Sequence, residues 1–206
     1  MNSEKLYLYP VWLRLWHGLN ALCIIVLILT GISIQYSDLK YPFIPFDTAI
    51  TLHNIFGVIT VISYVFFIFG NLFTENGKQY RIKIKGLFQR LSLQAKYYIS
   101  GYFKGGEKPY PIQKTNKFNP LQRFSYSLTM YLLMPMVIIT GLALLFPEFI
   151  IDEVFEVSGI QLTAILHAAA GFFISLFLII HLYVASVGRS PLKNFMSIIS
   201  GYHESH

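Results

Sequence analysis

The chain has 206 residues, of which 54% are hydrophobic and only 13% are charged, and its formal net charge is +6. Soluble domains carry about 25% charged residues, so this composition indicates a membrane protein and excludes an ordinary soluble domain. The positive charge is concentrated, because eleven of the sixteen lysines and arginines lie between residues 78 and 123. That distribution is typical of membrane topology signals, and we expect no nucleic-acid partner.

Four long stretches contain no Asp, Glu, Lys or Arg: residues 15–37, 48–74, 124–147 and 157–188. Each is longer than the roughly 20 residues that cross a bilayer as a helix. We therefore predict an all-α integral membrane four-helix bundle that forms a single domain over residues 1–206. The predicted helices cover about residues 12–36, 48–73, 121–146 and 159–188, and Pro135 predicts a kink in the third.

The distribution of charge predicts the orientation in the lipid bilayer. Residues 74–120 form a basic loop between the second and third helices, whereas the segment from Pro147 to Gly159 has four acidic residues and no lysine or arginine. By the positive-inside rule, the basic loop and both termini are cytoplasmic and the two other loops face outside. Apolar residues at helical spacing from Ile84 to Tyr98 indicate an interfacial helix on anionic lipid, with a partly ordered basic loop as the alternative.

Four histidines lie within the apolar stretches: His17, His53, His167 and His181. An ionisable or metal-ligating side chain within a membrane span is costly and therefore suggests function. His167 and His181 are separated by fourteen residues, which in a helix places them about 21 Å apart along the axis and about 40° apart around it. They share one face at two depths.

The topology pairs these histidines by depth. His53 and His167 lie near the outer face, because both helices start outside, and His17 and His181 lie near the cytoplasmic face. Two facing imidazoles suit a six-coordinate haem iron, whereas zinc needs four ligands that converge on one point. The alternative is that each histidine is buried, neutral and bonded to backbone carbonyls. The only cysteine, Cys23, lies within the first span, so no thiol cluster or covalent haem attachment is expected.

Small residues recur beside the histidines. Gly57 and Gly171 each lie four residues after a histidine, where a larger side chain would strike a flat macrocycle on that face. The dipeptides Thr30-Gly31 and Thr140-Gly141 recur in the first and third helices, and we assign Gly31 and Gly141 to haem packing as well. Ordinary helix packing is the alternative explanation for any single glycine.

Taken together, the motifs resemble those of a known family: Arg14-Leu-Trp-His17, Thr30-Gly31-Ile32, Leu52-His53-x-x-x-Gly57, Lys117-Phe-Asn-Pro-Leu-Gln-Arg123, Thr140-Gly141, Leu166-His-Ala-Ala-Ala-Gly171 and Ile180-His181-Leu-Tyr183. The chain resembles the four-helix dihaem cytochrome b subunits of formate dehydrogenase, nickel–iron hydrogenase and thiosulfate reductase, and bacterial cytochrome b561. The resemblance covers almost the whole chain.

This resemblance implies two haem b groups, one ligated by His53 with His167 and one by His17 with His181. It also implies a menaquinone or ubiquinone pocket at the inner haem, formed by Asn119, Gln122 and the neighbourhood of His181. A helix N-cap is the alternative role for Asn119, because Pro120 follows it. Arg14 and Arg189 are candidates for the propionates of the inner haem, and interface anchoring is their alternative role.

The function that we expect is a quinone-reactive subunit of a respiratory oxidoreductase in the bacterial cytoplasmic (inner) membrane. It would carry electrons between an outer-side iron–sulfur or multihaem partner subunit and quinone at the cytoplasmic side. One alternative is a stand-alone cytochrome b561-type superoxide:quinone oxidoreductase, although the long basic loop argues against it. Another is a haem-free transporter or structural protein, although no carboxylate or lysine lies within a span.

Overall fold

The computed structural model describes residues 5–36, 38, 42–113, 116–187 and 192–204. Within them, four helices are long and apolar enough to cross a membrane: Val11–Gln35, Phe46–Phe73, Pro120–Leu145 and Gly159–Ser186. The prediction of an all-α membrane protein with four spanning helices is confirmed.

The elements follow one another along the chain. The four spans are α1 (Val11–Gln35), α2 (Phe46–Phe73), the continuous pair α4 (Pro120–Leu128) and α5 (Met134–Leu145), and α6 (Gly159–Ser186). Shorter helices are α3 (Leu87–Lys96) in the basic loop and α7 (Lys193–Ser200) after the last span. Four short strands are β1 (Lys5–Tyr7), β2 (Glu153–Val154), β3 (Val157–Ser158) and β4 (Tyr202–Glu204).

The third span changes its helical winding where Pro135 was expected to cause a kink. A π-helical turn at Thr129–Leu133 separates α4 from α5. Proline has no backbone N–H and cannot donate to the preceding turn, so carbonyls before it need other partners. The Tyr64 hydroxyl on α2 donates to the carbonyl of Met130 at 2.9 Å. A side chain from the second span thus satisfies a backbone group of the third.

The described chain divides into two compact units. The first comprises Met1–Leu15, Phe69–Thr129 and Phe177–His206, and the second comprises Trp16–Ile68 and Met130–Leu176.

In the first unit, β1 pairs with β4 in antiparallel register, with Leu6 opposite His203. The Leu8 backbone N–H continues this contact by donating to the Gly201 carbonyl at 2.9 Å. Because these segments flank an even number of membrane spans, residues 5–7 and 202–204 lie on the same side of the membrane. Such short strands depend on tertiary pairing, so the sequence pattern did not predict them.

Buried polar side chains order the basic loop. The Lys117 backbone N–H donates to Gln79 Oε1 at 3.1 Å, and Asn76 Nδ2 donates to Asn71 Oδ1 at 2.7 Å. The Ser127 hydroxyl donates to the Tyr80 carbonyl at 2.6 Å. The helix predicted in this loop is present as α3, which a π turn at Tyr97–Gly101 extends.

In the second unit, segments of all four spans pack through small and aromatic side chains. Trp16 stacks on the fully buried Phe67 with ring centres 4.4 Å apart, and its indole N–H donates to the Ser63 carbonyl at 3.0 Å. The other buried positions are mostly small or hydroxylated, as expected for helix contacts in lipid. They include Cys23, Thr30, Ser33, Ala49, Thr60, Thr140 and Ala170.

Large apolar side chains point away from the protein along every span. Leu15, Ile62, Ile139 and Ile179 are 65–71% exposed. Such a surface would cause aggregation in water, and it suits contact with lipid tails.

We predict that Tyr64→Phe lowers the free energy of unfolding by about 1 kcal/mol, because it leaves the Met130 carbonyl in the π turn without its donor. Reversible unfolding in detergent, followed by circular dichroism, measures this loss. Tyr36→Phe is the matched control, since Tyr36 is 78% exposed at the end of α1. Equal stability of the two variants would contradict the role of Tyr64.

Candidate functional site

The structure brings His53 on α2 and His167 on α6 together within the second unit. Their ring centres are 6.1 Å apart and their planes are inclined by 71°. Metal–imidazole bonds are about 2 Å long and a ring nitrogen lies about 1 Å from the ring centre, so two imidazoles on opposite sides of one metal have centres about 6 Å apart. The observed separation fits one metal ion between the two rings.

Each of these histidines is hydrogen-bonded to a threonine on a neighbouring helix. His53 Nδ1 lies 2.9 Å from Thr30 Oγ1 on α1, and His167 Nδ1 lies 3.1 Å from Thr140 Oγ1 on α5. The two threonines are buried, with 1% and 9% of their surface exposed. Nδ1 of each ring is therefore hydrogen-bonded to a threonine hydroxyl, and His167 also has a backbone hydrogen bond to Val137.

The direction of these hydrogen bonds follows from counting hydroxyl protons. Thr30 Oγ1 donates to the Val26 carbonyl at 2.8 Å, and Thr140 Oγ1 donates to the Met136 carbonyl at 2.7 Å. A hydroxyl has one proton, so each threonine can only accept from its histidine. Nδ1 then carries the hydrogen of the neutral ring, and the lone pair lies on Nε2. This tautomer is the one that binds a metal through Nε2.

Glycine lets the helices carrying these threonines approach the rings. A Cβ at Gly141 would lie 3.0 Å from His167 Cε1, and a Cβ at Gly31 would lie 3.4 Å from His53 Cε1. The structure thus places both glycines against the imidazoles. At Gly57 and Gly171, by contrast, a Cβ would meet no atom within 4 Å beyond its chain neighbours and the backbone of its own helix. Those two positions leave room for a flat ligand beside the rings.

The donor set of the described residues is also specific. No three His, Cys, Asp or Glu side chains converge in the part of the chain that the structure describes. A tetrahedral zinc site needs such a cluster, whereas two opposed imidazoles are the axial ligand set of a b-type haem. The residues present therefore fit haem.

The predicted inner pair is divided between the units: His17 belongs to the second and His181 to the first. Within the first unit, His181 Nδ1 lies 3.2 Å from the Tyr126 hydroxyl, and its ring stacks on Phe177 with centres 5.6 Å apart. The pairing of His17 with His181 stays a prediction.

The residues predicted to bind quinone form the start of α4. Asn119 Oδ1 accepts from the Gln122 backbone N–H at 2.9 Å, and Gln122 Oε1 accepts from the Asn119 backbone N–H at 3.2 Å. This reciprocal capping box agrees with the N-cap alternative. Asn119 Nδ2 also donates to the Tyr98 hydroxyl at 2.7 Å. Burial raises the pKa of Tyr98 to about 12, so this phenol keeps its proton at neutral pH.

Of the two arginines predicted to bind haem propionates, the structure describes only Arg14. The Arg14 guanidinium donates to the Ile199 carbonyl in α7, and its Nε is buried without a hydrogen-bond partner. Arg189 lies outside the described residues. Propionate binding by either arginine stays a prediction.

Sequence reasoning missed three side chains that contact the histidines: Thr30, Thr140 and Tyr126. The repeated Thr-Gly dipeptide was a usable signal for the two threonines, although only its glycines were assigned to the site. Tyr126 had no comparable signal.

A chain with four membrane-spanning helices and a facing pair of imidazoles, each oriented by a buried hydroxyl, has the characteristics of a membrane cytochrome. Comparison with known proteins supports this class. The chain belongs to the prokaryotic cytochrome b561 family, whose profile matches residues 8–201. Members of this family bind b-type haem, and this chain is a b561-type membrane cytochrome of electron transfer.

One relative is the Escherichia coli (strain K12) protein named "Putative cytochrome YdhU". The two sequences are 34% identical over 203 residues, which cover 98% of this chain and 76% of that protein.

Because His167 is an expected haem ligand, we predict that Thr140→Val reduces haem affinity by about 10–100-fold and raises the haem reduction potential. Valine has nearly the shape of threonine but cannot accept from Nδ1–H, so the ring becomes a weaker electron donor. Redox titration and haem retention measure the two effects, and Thr30→Val should act alike through His53.

Thr140→Ser should restore both quantities, because serine keeps the hydroxyl. Thr163→Val is the control, since the Thr163 hydroxyl bonds only the Gly159 carbonyl, at 2.8 Å. A lower melting temperature without a change in potential would mean that Thr140 is merely structural.

Proposed function

We propose that this chain is a dihaem b-type cytochrome that carries electrons across the membrane between a redox partner on the outer side and quinone on the cytoplasmic side. The observation that carries the proposal is the His53–His167 pair, with ring centres 6.1 Å apart and both Nδ1 atoms held by threonine. We assign these two histidines as the axial ligands of the outer haem.

Bound haem supplies a one-electron Fe(III)/Fe(II) couple. The chain's own residues decide how that couple is used. Two imidazole ligands leave no open coordination position, so the pair favours electron transfer over oxygen binding. The threonines hold the rings in one tautomer and orientation, which limits the rearrangement that accompanies each change of charge. The surrounding apolar spans exclude water.

We assign His17 and His181 to the inner haem, from their matched depth and from the family resemblance. The contact of His181 Nδ1 with the Tyr126 hydroxyl supports this assignment, because it repeats the hydroxyl contact of the other two histidines. Two haems at two depths would connect the faces of the membrane.

Replacement of a ligand tests the assignment. We predict that His53→Ala and His167→Ala each reduce the haem content from two per chain to one and stop electron transfer between the two membrane faces. Pyridine haemochrome analysis of purified protein measures the content. His203→Ala, outside the spans, should keep both haems. Retention of two haems and full activity in either ligand variant would overturn the assignment.

The glycines give a separate test of a flat ligand. We predict that Gly57→Ala and Gly171→Ala lower haem loading while the haem-free protein becomes slightly more stable. Alanine is favoured over glycine in a helix by about 1 kcal/mol, and no atom beyond the chain neighbours and the backbone of the same helix lies within 4 Å of either Cβ position. Haem per chain and the melting temperature of haem-free protein are the measurements. Unchanged loading would show that no macrocycle lies against these positions.

We place the quinone site near Asn119, Gln122 and His181. The supporting observation is chemical: Asn119 and Tyr98 offer hydrogen-bonding groups beside a helix that carries Tyr126, the partner of His181. The cap and the quinone contact use different atoms, because the cap uses the side-chain oxygen of Asn119, whereas its amide nitrogen donates one hydrogen to Tyr98 and keeps a second for quinone.

We therefore predict that Asn119→Asp keeps the melting temperature but raises the KM for quinone about tenfold, since aspartate caps a helix equally well but cannot donate. Quinone-dependent reoxidation of the reduced haems measures KM. Asn119→Ala, which also loses the cap, should be less stable by about 1 kcal/mol. An unchanged KM in Asn119→Asp would restrict Asn119 to capping.

The acidic segment before α6 is our candidate for partner docking on the outer side. It forms the hairpin β2–β3, whose tip residues Phe155 and Glu156 have φ values of 50° and 63°. Phe155 is 96% exposed. An exposed aromatic side chain among carboxylates suits a basic protein surface with an apolar recess. Co-purification of such a subunit from the bacterial inner membrane separates this proposal from a stand-alone superoxide:quinone oxidoreductase.

A further inference from the structure

A half-open groove of about 240 Å³ lies in the first unit, between the start of α3 and the segment that leads into α4. Three cationic side chains line it, Lys83, Arg90 and Arg123, and no Asp or Glu does so. Its other walls are largely apolar and aromatic, with Leu87, Phe118 and Phe124 among them. The groove therefore combines concentrated positive charge with an apolar floor.

The two arginines bind only neutral groups. Arg90 donates to the backbone carbonyls of Lys83 and Lys85, and Arg123 Nη2 donates to Asn116 Oδ1 at 3.1 Å. Arg123 Nε is buried without a hydrogen-bond partner. Within the described ranges, neither guanidinium forms an ion pair with a carboxylate.

The charges of these arginines are also mutually unfavourable. Arg90 and Arg123 line the same groove, so their like charges repel each other. The groove reaches Asn119 and Pro120 at the N-terminus of α4, where the helix dipole adds further positive potential. An anion in the groove would offset the two arginine charges and the positive end of the helix dipole.

We propose that this groove binds a phosphate-bearing anion, either the headgroup of an anionic phospholipid or free phosphate. The planar guanidinium matches phosphate oxygens with two parallel hydrogen bonds, and the unpartnered Arg123 Nε supplies a donor for that contact. The groove lies where the span that begins at Pro120 starts, and basic pockets at the ends of spans bind anionic lipid headgroups. The apolar walls suit the glycerol and upper acyl region. This site is independent of the haem assignment.

The test uses the full-length holoprotein in zwitterionic phosphatidylcholine nanodiscs. Phosphatidylglycerol, further phosphatidylcholine or inorganic phosphate is added, and binding is followed by native mass spectrometry and by melting temperature. We expect saturable binding of phosphatidylglycerol but not of added phosphatidylcholine. Arg90→Gln with Arg123→Gln should weaken it about a hundredfold, because the loss of each charge-assisted bond costs about a factor of ten.

The matched control removes the same charge elsewhere. Lys104→Gln with Lys108→Gln changes two exposed lysines that do not line the groove, and it should keep the affinity. A second variant, Asn116→Asp, preserves both arginines. Asn116 already accepts a hydrogen bond from Arg123, so an aspartate at this position would give Arg123 a carboxylate partner within the protein. It should fold normally and lose phosphatidylglycerol binding to a similar extent.

Comparison of added phosphatidylglycerol with added inorganic phosphate also identifies the source of the anion. Binding of inorganic phosphate with comparable affinity, lost in the same variants, assigns the groove to free phosphate, whereas a response to phosphatidylglycerol alone assigns it to lipid. Two results overturn the proposal: Asn116→Asp binding as the wild type does, or the control pair weakening binding as much as the arginine pair.

Discussion

The candidate haem site depends on one constraint: a threonine hydroxyl within a membrane helix has a single proton and gives it to its own helix. Thr30 and Thr140 each donate to a carbonyl one turn earlier, at 2.8 Å and 2.7 Å. The lone pairs that remain can only accept, and each accepts from a histidine on the next helix. With no water in the bilayer core, this bond, together with a backbone bond to Val137 in the case of His167, orients the ring and sets the nitrogen presented to a metal.

The same arrangement occurs in two helix pairs. α1 supplies Thr30-Gly31 to a histidine of α2, and α5 supplies Thr140-Gly141 to a histidine of α6. In each pair the glycine brings the backbone close enough for the threonine to reach the ring. The two histidines held in this way, His53 and His167, have ring centres 6.1 Å apart. The repeated dipeptide is therefore a positioning element for the ligands, and the glycines that follow the histidines leave the space beside the rings.

Much of this was predictable from the sequence, because charge-free runs identify membrane spans and helical geometry sets the depth of a residue within them. That reasoning paired His53 with His167, which the structure places together. The packing of Gly31 and Gly141 against haem stays a prediction, and the structure adds that both glycines lie against the imidazoles, a detail that sequence periodicity does not give because it does not tell which side chain of a neighbouring helix meets a given face. The pairing of β1 with β4 was missed for a similar reason: three-residue strands have no usable periodicity and exist only through contacts distant in sequence. The capping box at Asn119 was recognisable from the Asn-Pro pair, but the bond to Tyr98 joins residues 21 positions apart.

The most direct test of the dihaem account is the haem content of the purified wild-type protein, measured with its dithionite-reduced minus oxidised optical spectrum. We predict two b-type haems per chain with low-spin, six-coordinate spectra. One haem per chain would mean that one of the two histidine pairs does not bind haem. No haem, after expression with sufficient haem supply, would contradict the assignment and return the histidines and their threonines to a role in helix packing.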